Sequence, residues 1–329
     1  MYLKGVSKNL VGDKKVILHV VGRLDIGGAE SRIMDLYHNI DKEKVQFVFC
    51  QHTTDRCAYE DEIKSMGGKV YYIPRFRIIN FFSYKRAWQR FFEEHAEIDV
   101  VHGHMTSTAS IYLPIAKRNG VSVTIAHARS AGTDRGLKGI ATKIMRKKLW
   151  KKTDVMIACS MLAGRAVFGE QAMQHGKVRL FPNAIEVERF AYDAGIRKEV
   201  REKLKLQNSF VLGHVGRFSP VKNHEYLLKI LKECIELEEK QQLPQIKLML
   251  LGDGELRENT ERLANQMGIA SRVLFLGNRR DIYRYYQAMD FFLLPSFYEG
   301  LPGTAIEAQA SGLPGILSDA VTDEAVVTD

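Results

Sequence analysis

The feature that most constrains this chain is a rhythm that runs through it twice. In the first pass, Lys15–Gly22 (KVILHVVG), Val45–Gln51, Lys69–Ile73, Asp99–His102, Ser122–His127 and Asp154–Ala158 are short apolar runs that read as strands. Longer amphipathic stretches such as Phe82–Ala96 and Ser107–Arg118 separate them and read as helices. A short segment, Val178–Phe181, then meets the turn cluster Pro182-Asn183-Ala184. The rhythm restarts with strands expected at Phe210–Gly216, Ile246–Gly252, Arg272–Leu276, Asp290–Leu294 and Pro314–Ser318, and helices at His224–Glu239, Leu256–Met267 and Thr304–Ser311. Apolar strands alternating with helices bury both faces of a parallel sheet. The sequence therefore predicts an α/β chain of two doubly wound units, 1–185 and 186–329. A cleft is expected between the carboxyl ends of their strands, where open α/β sheets bind ligands. The second unit reads as unfinished, because no sixth strand or closing helix follows Pro314–Ser318, and a fragment is expected.

Charge separates the two halves. The net charge is +9, but residues 1–180 hold 30 basic against 17 acidic side chains, hence +13, while the remainder is −4. With 45% hydrophobic and 26% charged residues over 329 positions, disorder and disulfide-framework classes are excluded. The four cysteines form no C-x-x-C pair, so neither a zinc knuckle nor a redox motif is expected. The start, MYLKGVSKNLVGDKK, has no apolar core of signal-peptide length, no stretch is long enough to span a bilayer, and the expected location is cytoplasmic. There is no D-x-D pair to suggest a metal site.

Three clusters could carry chemistry. The first is Pro295–Ala308 (PSFYEGLPGTAIEA), where a strand ends, a Gly/Pro turn frees backbone amides and a helix opens at Gly303-Thr304. Amides and the positive end of a helix dipole suit an anion. Glu299 in the turn and Glu307 in the helix are acceptors suited to sugar hydroxyls rather than to that anion. The second is Gly213–His224, which delivers Arg217 to a strand's carboxyl end and Lys222 to the following loop, with Asn223 a candidate helix cap. Two cations there suit a diphosphate that gains charge as it leaves. The third is Gly27-Gly28 after the first strand, where a ligand could approach the backbone, although a plain turn reads equally well. His127, His102 and His104 end strands, and His127 is a candidate contact to a sugar hydroxyl.

Taken in order, Gly27-Gly28 with Glu30, His127, Arg217, Lys222 and the E-x7-E pair Glu299 and Glu307 resemble the retaining family 4 glycosyltransferases of the GT-B fold. HVVGRLDIGGAES, AHARSAGT and DFFLLPSFYEGLPGTAIEAQASGLPG are most similar to bacterial exopolysaccharide and capsule enzymes, the EpsF-like group. The resemblance implies a UDP- or GDP-sugar donor on the second unit, with no cofactor and no metal. Arg217 and Lys222 would hold the diphosphate, helped by amides near Gly216 and around Gly300, Leu301, Pro302, Gly303 and Thr304. Glu299 would accept from the donor sugar, Glu307 would bind the ribose, and Gly277, Asn278 and Arg279 would border the base. Gly27-Gly28 would lie under the reacting phosphate and His127 would contact the sugar. The acceptor would be a saccharide, lipid-linked in such a pathway. A sugar-nucleotide epimerase of the same fold and a non-catalytic membrane- or polyanion-binding module are the rival readings.

Two segments carry much of the positive charge. Arg135–Lys152 is expected as one basic amphipathic helix bearing Lys143, Arg146, Lys147, Lys148, Lys151 and Lys152, with no acid among them. Arg75–Phe92 interleaves Arg75, Lys85 and Arg86 with Phe81, Phe82, Tyr84 and Trp88. An anionic membrane surface would suit both, and nucleic acid is not expected if the enzyme reading holds. A solvated helix face with its apolar stripe in the core is the alternative for each.

Overall fold

The computed structural model describes residues 14–132, 136–147 and 149–328. The chain divides into two compact units. The first runs to Asp25 and includes residues 33–129 and 133–181. The second comprises 26–32, 130–132 and 182–329, so the glycine turn near the start of the chain counts with it.

The first unit is a seven-stranded sheet: β1 (Lys15–Val20), β2 (Val45–Gln51), β3 (Val70–Tyr72), β4 (Val100–Gly103), β5 (Val123–Ala128), β6 (Val155–Ala158) and β7 (Val178–Leu180). The order is β3-β2-β1-β4-β5-β6-β7, and every pairing is parallel. Its core is aromatic. Trp88, Tyr84 and Phe92 from the helix Phe81–Glu94 pack with Tyr112 from the helix Thr106–Arg118 and are fully buried. Within this cluster His52 Nε2 lies 2.8 Å from Tyr84 Oη. The basic-aromatic segment is thus half core, which is why only some of its rings face outward.

The second unit is a five-stranded parallel sheet: β8 (Ser209–Val215), β9 (Gln245–Leu251), β10 (Val273–Gly277), β11 (Phe291–Leu294) and β12 (Gly315–Leu317), in the order β10-β9-β8-β11-β12. Its apolar strands reach full burial because helices cover them. Leu227, Leu228 and Leu231 of the helix His224–Gln241 pack on Leu248, Leu250 and Leu212.

One expectation fails locally. The basic segment is not a single helix through Lys152: the helix spans Gly136–Arg146, and a separate 3-10 turn follows at Leu149–Lys151 with Leu149 fully buried. The buried leucine pins the chain to the core and breaks the helical phase. Arg135 and Lys148 lie outside the described residues.

Both sheets reverse direction once. In each, the first strand of the unit has neighbours that leave on opposite sides: β1 lies between β2 and β4, and β8 lies between β9 and β11. Connections from such a strand diverge, which leaves a crevice at its carboxyl end. Gly27-Gly28 follow the first of these strands, and Gly216, Arg217 and Lys222 follow the second.

Candidate active site

In the second unit, β8 ends at Val215 and the chain continues through Gly216 and Arg217 into a 3-10 turn, Pro220–Lys222. On the other side of the switch point, β11 ends at Leu294 and leads through Pro295–Pro302 to the helix Gly303–Ala310. The two loops meet. Phe297 N donates to Val221 O at 2.9 Å, and Lys222 Nζ lies 2.6 Å from Glu299 Oε1. The residues expected to take phosphate and sugar are therefore paired with one another. Arg217 is exposed and forms no ion pair among the described residues.

The helix Gly303–Ala310 has Pro302 at its cap position and no side chain capping it. A proline side chain has no acceptor, so the amides of Gly303 and Thr304, ahead of those that bond Pro302 O, could serve an external anion. Thr304 Oγ1 beside them is buried without a partner. Gly300, Leu301 and Pro302 are buried, and Asn183 Nδ2 donates to Leu301 O at 2.8 Å, fixing the turn.

Glu307 is almost fully buried and both oxygens are engaged: Arg32 Nη2 lies 3.0 Å from Oε1, and Tyr286 Oη donates to Oε2 at 2.9 Å. Arg32 also donates to Ala184 O at 3.0 Å. Nothing in the local pattern pointed to Arg32, because its partner is 275 positions away.

The sequence reading also passed over Gly252 and Gly254 after β9. Gly252 has φ +130° and Gly254 φ +156°, values that strongly favour glycine. A Cβ on Gly252 would fall 2.1 Å from Gly216 O, and one on Gly254 2.5 Å from Phe218 O. This close approach, with Phe218 N donating to Asp253 O at 3.0 Å, sets the course of the Arg217 loop. The signal was present as G-D-G at a strand's end. Gly28, by contrast, meets nothing within 4 Å at its Cβ position, so the space above the start of the helix Gly28–Asn39 is open.

The remaining assignments fall as follows. Gly277 sits at the end of β10 with φ +69°, and Asn278 and Arg279 are exposed beyond it. Arg279 Nε folds back to Leu276 O at 3.0 Å. Asn223 does not cap the following helix. It adopts a left-handed conformation (φ 54°, ψ 48°), and its amide donates to Pro295 O at 3.3 Å, another tie between the two loops.

In the first unit, His127 on β5 is fully buried, with Nδ1 3.0 Å from His102 Nε2 and with Nε2 unpartnered. Burial, and then the charge of Arg129, push its pKa far below the ordinary histidine value.

A groove of about 920 Å³ opens elsewhere on this unit, lined by Lys85, Lys117, Lys147, Lys151 and Lys152 with Phe81 and Ile144 among its apolar walls. The one acid among its described lining residues, Asp154, is held by Lys117 at 3.0 Å. Beside it, Ile79 and Phe82 are 91% and 79% exposed, and Ile140 and Ile144 also point to solvent. Arg75, Arg86 and Lys143 are exposed and Arg146 is half-buried. No helix among the described residues is long and apolar enough to cross a membrane.

The model of glycosyl transferases group 1 matches residues 196–329, and that of glycosyltransferase family 4 matches residues 26–189. The chain is 35% identical over 315 residues to the putative glycosyltransferase EpsF of Bacillus subtilis, covering 94% of this chain and 81% of that one. It is 32% identical over 228 residues to the UDP-Gal:alpha-D-GlcNAc-diphosphoundecaprenol alpha-1,3-galactosyltransferase of Escherichia coli, covering 67% of this chain and 58% of that one. Among solved structures, Anabaena Alr3699/HepE in complex with UDP and glucose superposes with a TM-score of 0.77 at 18% identity, covering 96% of this chain and 83% of that one. Two parallel, doubly wound units and matches spanning nearly the whole sequence place the chain in family 4 of the glycosyltransferases, with the GT-B fold.

Proposed function

We propose that this glycosyltransferase is metal-independent and retaining, and that it moves a sugar from a UDP- or GDP-sugar to a lipid-linked saccharide in surface polysaccharide synthesis. The observation that carries the reading is the meeting of the two loops at the β8/β11 switch point. There Lys222, Glu299 and an uncapped helix start come together beside exposed Arg217. Those cations and amides supply the neutralisation a leaving diphosphate needs, the task a metal performs in other transferases.

Donor binding is an exchange of partners. Lys222 leaves Glu299 for a phosphate oxygen, and Glu299 is freed to accept hydrogen bonds from the sugar. In the transfer step the bond from C1 to the β-phosphate oxygen breaks, and its electron pair stays on the phosphate. The acceptor hydroxyl oxygen bonds to C1 on the same face, and its proton passes to the phosphate oxygen. Atoms and charge balance without a protein nucleophile. His127 contacts the transferred sugar, and Glu307 reaches the ribose once Arg32 or Tyr286 yields one of its oxygens.

Relatives in polysaccharide synthesis, one named for a diphosphoundecaprenol substrate, support the lipid-linked acceptor. The cationic groove with Ile79 and Phe82 beside it supports peripheral attachment to the inner face of an anionic plasma membrane. Lysines attract the headgroups while exposed aliphatic and aromatic side chains enter the interface. The test is donor consumption and transfer with a panel of UDP- and GDP-sugars in the presence of EDTA, with the product anomer read by NMR. Activity with the donor's configuration kept is the expected result. An inverted product, or activity abolished by EDTA and restored by a divalent cation, would refute the mechanism.

A further inference from the structure

Four imidazoles gather at the carboxyl ends of β1, β4 and β5. His19 stacks on His104 (centroids 5.3 Å, 9° between planes), His104 lies 4.2 Å from His102, and His102 stacks on His127 (5.2 Å, 9°). Their hydrogen bonds run in two strings. Arg129 Nε donates to His104 Nδ1 at 3.1 Å, and His104 Nε2 lies 3.0 Å from His19 Nδ1. Separately, His102 Nε2 lies 3.0 Å from His127 Nδ1.

Proton positions in the first string follow from donor chemistry. A guanidinium has no acceptor, so His104 Nδ1 must carry a lone pair. A neutral His104 then holds its proton on Nε2 and donates it to His19 Nδ1. Ring nitrogens of His19, His102 and His104 lie within 4.8 Å of one another, a spacing a transition metal could bridge. Yet the proton between His104 and His19, fixed by Arg129, sits where a metal would need a lone pair, and the guanidinium repels a cation. The arrangement is a proton-ordered network.

The second string ends in His127 Nε2, which is buried and unpartnered. Its state depends on which ring of the His102–His127 pair holds the shared proton. We propose that His102 is a positioning residue for His127, holding its ring orientation and a single tautomer so that Nε2 meets a bound ligand in one fixed hydrogen-bonding role. This rests on the reading that His127 touches the transferred sugar. Burial supports it: with the charge of Arg129 it lowers the pKa of His102 to about 3, and with His102 and Arg129 it lowers that of His104 well below the usual value, so the rings stay neutral.

The test is nitrogen-15 NMR of histidine-labelled protein at neutral pH, where ring-nitrogen shifts distinguish protonated from bare nitrogens. The wild type should show one neutral tautomer of His127, His102→Ala should show both, and His102→Gln, whose amide replaces Nε2, should restore one. A mixture in the wild type, or a tautomer unchanged in His102→Ala, overturns the proposal. So does stoichiometric Co2+ binding with histidine-ligand visible bands, which would make the cluster a metal site. In donor turnover, His102→Ala should lower kcat by about tenfold to a hundredfold, with little change in donor KM and recovery in His102→Gln. A tautomer that changes while turnover does not would instead sink the reading of His127 as a sugar contact.

Discussion

Lys222 Nζ sits 2.6 Å from Glu299 Oε1, with the two side chains only 17% and 14% exposed. A pair this sheltered from water ties up part of the hydrogen-bonding capacity of each group. Glu299 therefore competes with phosphate for Lys222. Glu299→Gln should bind UDP or GDP alone more tightly, by about threefold to tenfold, while binding the intact sugar nucleotide no better or worse. Calorimetry with both ligands checks this. Weaker binding of the bare nucleotide by Glu299→Gln would show that the pair organises the site rather than guarding it.

The buried pair Arg32–Glu307 should behave differently. With side-chain exposures of 10% and 4%, removal of one partner leaves the other charge desolvated. Arg32→Met alone should cost about 3–5 kcal/mol, and Arg32→Met with Glu307→Gln should recover much of it. Chemical denaturation gives both values. Equal losses in the single and double variants would mean that the charge pairing is not what stabilises this contact.

Glycines separate folding from ligand approach. Gly252→Ala should destabilise by more than about 2 kcal/mol from backbone strain and the contact with Gly216 O. Gly28→Ala should leave the melting temperature unchanged, because nothing lies near its Cβ, and yet reduce donor turnover if a phosphate passes over it. A melting curve and a turnover assay on each protein decide the matter; a folded, unstable Gly28→Ala would count against the open space.

The groove makes a salt-dependent prediction. Flotation with phosphatidylglycerol vesicles should retain the protein at low salt and release it as salt rises, with little retention by phosphatidylcholine alone. Lys147→Glu with Lys151→Glu should abolish retention, and Phe82→Ser should reduce it without changing the surface charge. Equal retention by both lipids would remove the electrostatic basis of the reading.

Stability should also fall on mild acidification. His19 and His127 are fully buried with pKa values depressed by burial, His102 and Arg129 adding to the effect. An unfolded histidine takes up a proton near pH 6.5 and these do not, so their stabilisation is complete above that pH and declines as pH falls toward the folded values. At pH 5 each ring kept neutral costs about 2 kcal/mol relative to the unfolded chain. Urea midpoints measured from pH 7.5 to 5 should drop, and His127→Asn should flatten the slope. A level profile for the wild type would contradict the burial of these rings.

Much of this was legible before any coordinates. Strands such as Val45–Gln51 and helices such as Thr106–Arg118 follow from local patterning, since a doubly wound unit must bury both faces of its sheet. The ordered residues Arg217, Lys222, Glu299 and Glu307 could be placed because each follows a strand's end or opens a helix. Their partners could not. Lys222 meets Glu299 across 77 positions, and Arg32 meets Glu307 across 275, through loops whose course depends on strand order. Gly252 and Gly254 look like ordinary turn glycines until the Arg217 loop is seen against them.

Sequence by itself determined the α/β layering and the division into two units, because hydrophobic period is a local property. Tertiary structure alone decided which charges are free and which are already spoken for. It also brought together four histidines from β1, β5 and the end of β4, because neighbouring strands of a parallel sheet come from segments far apart in the chain.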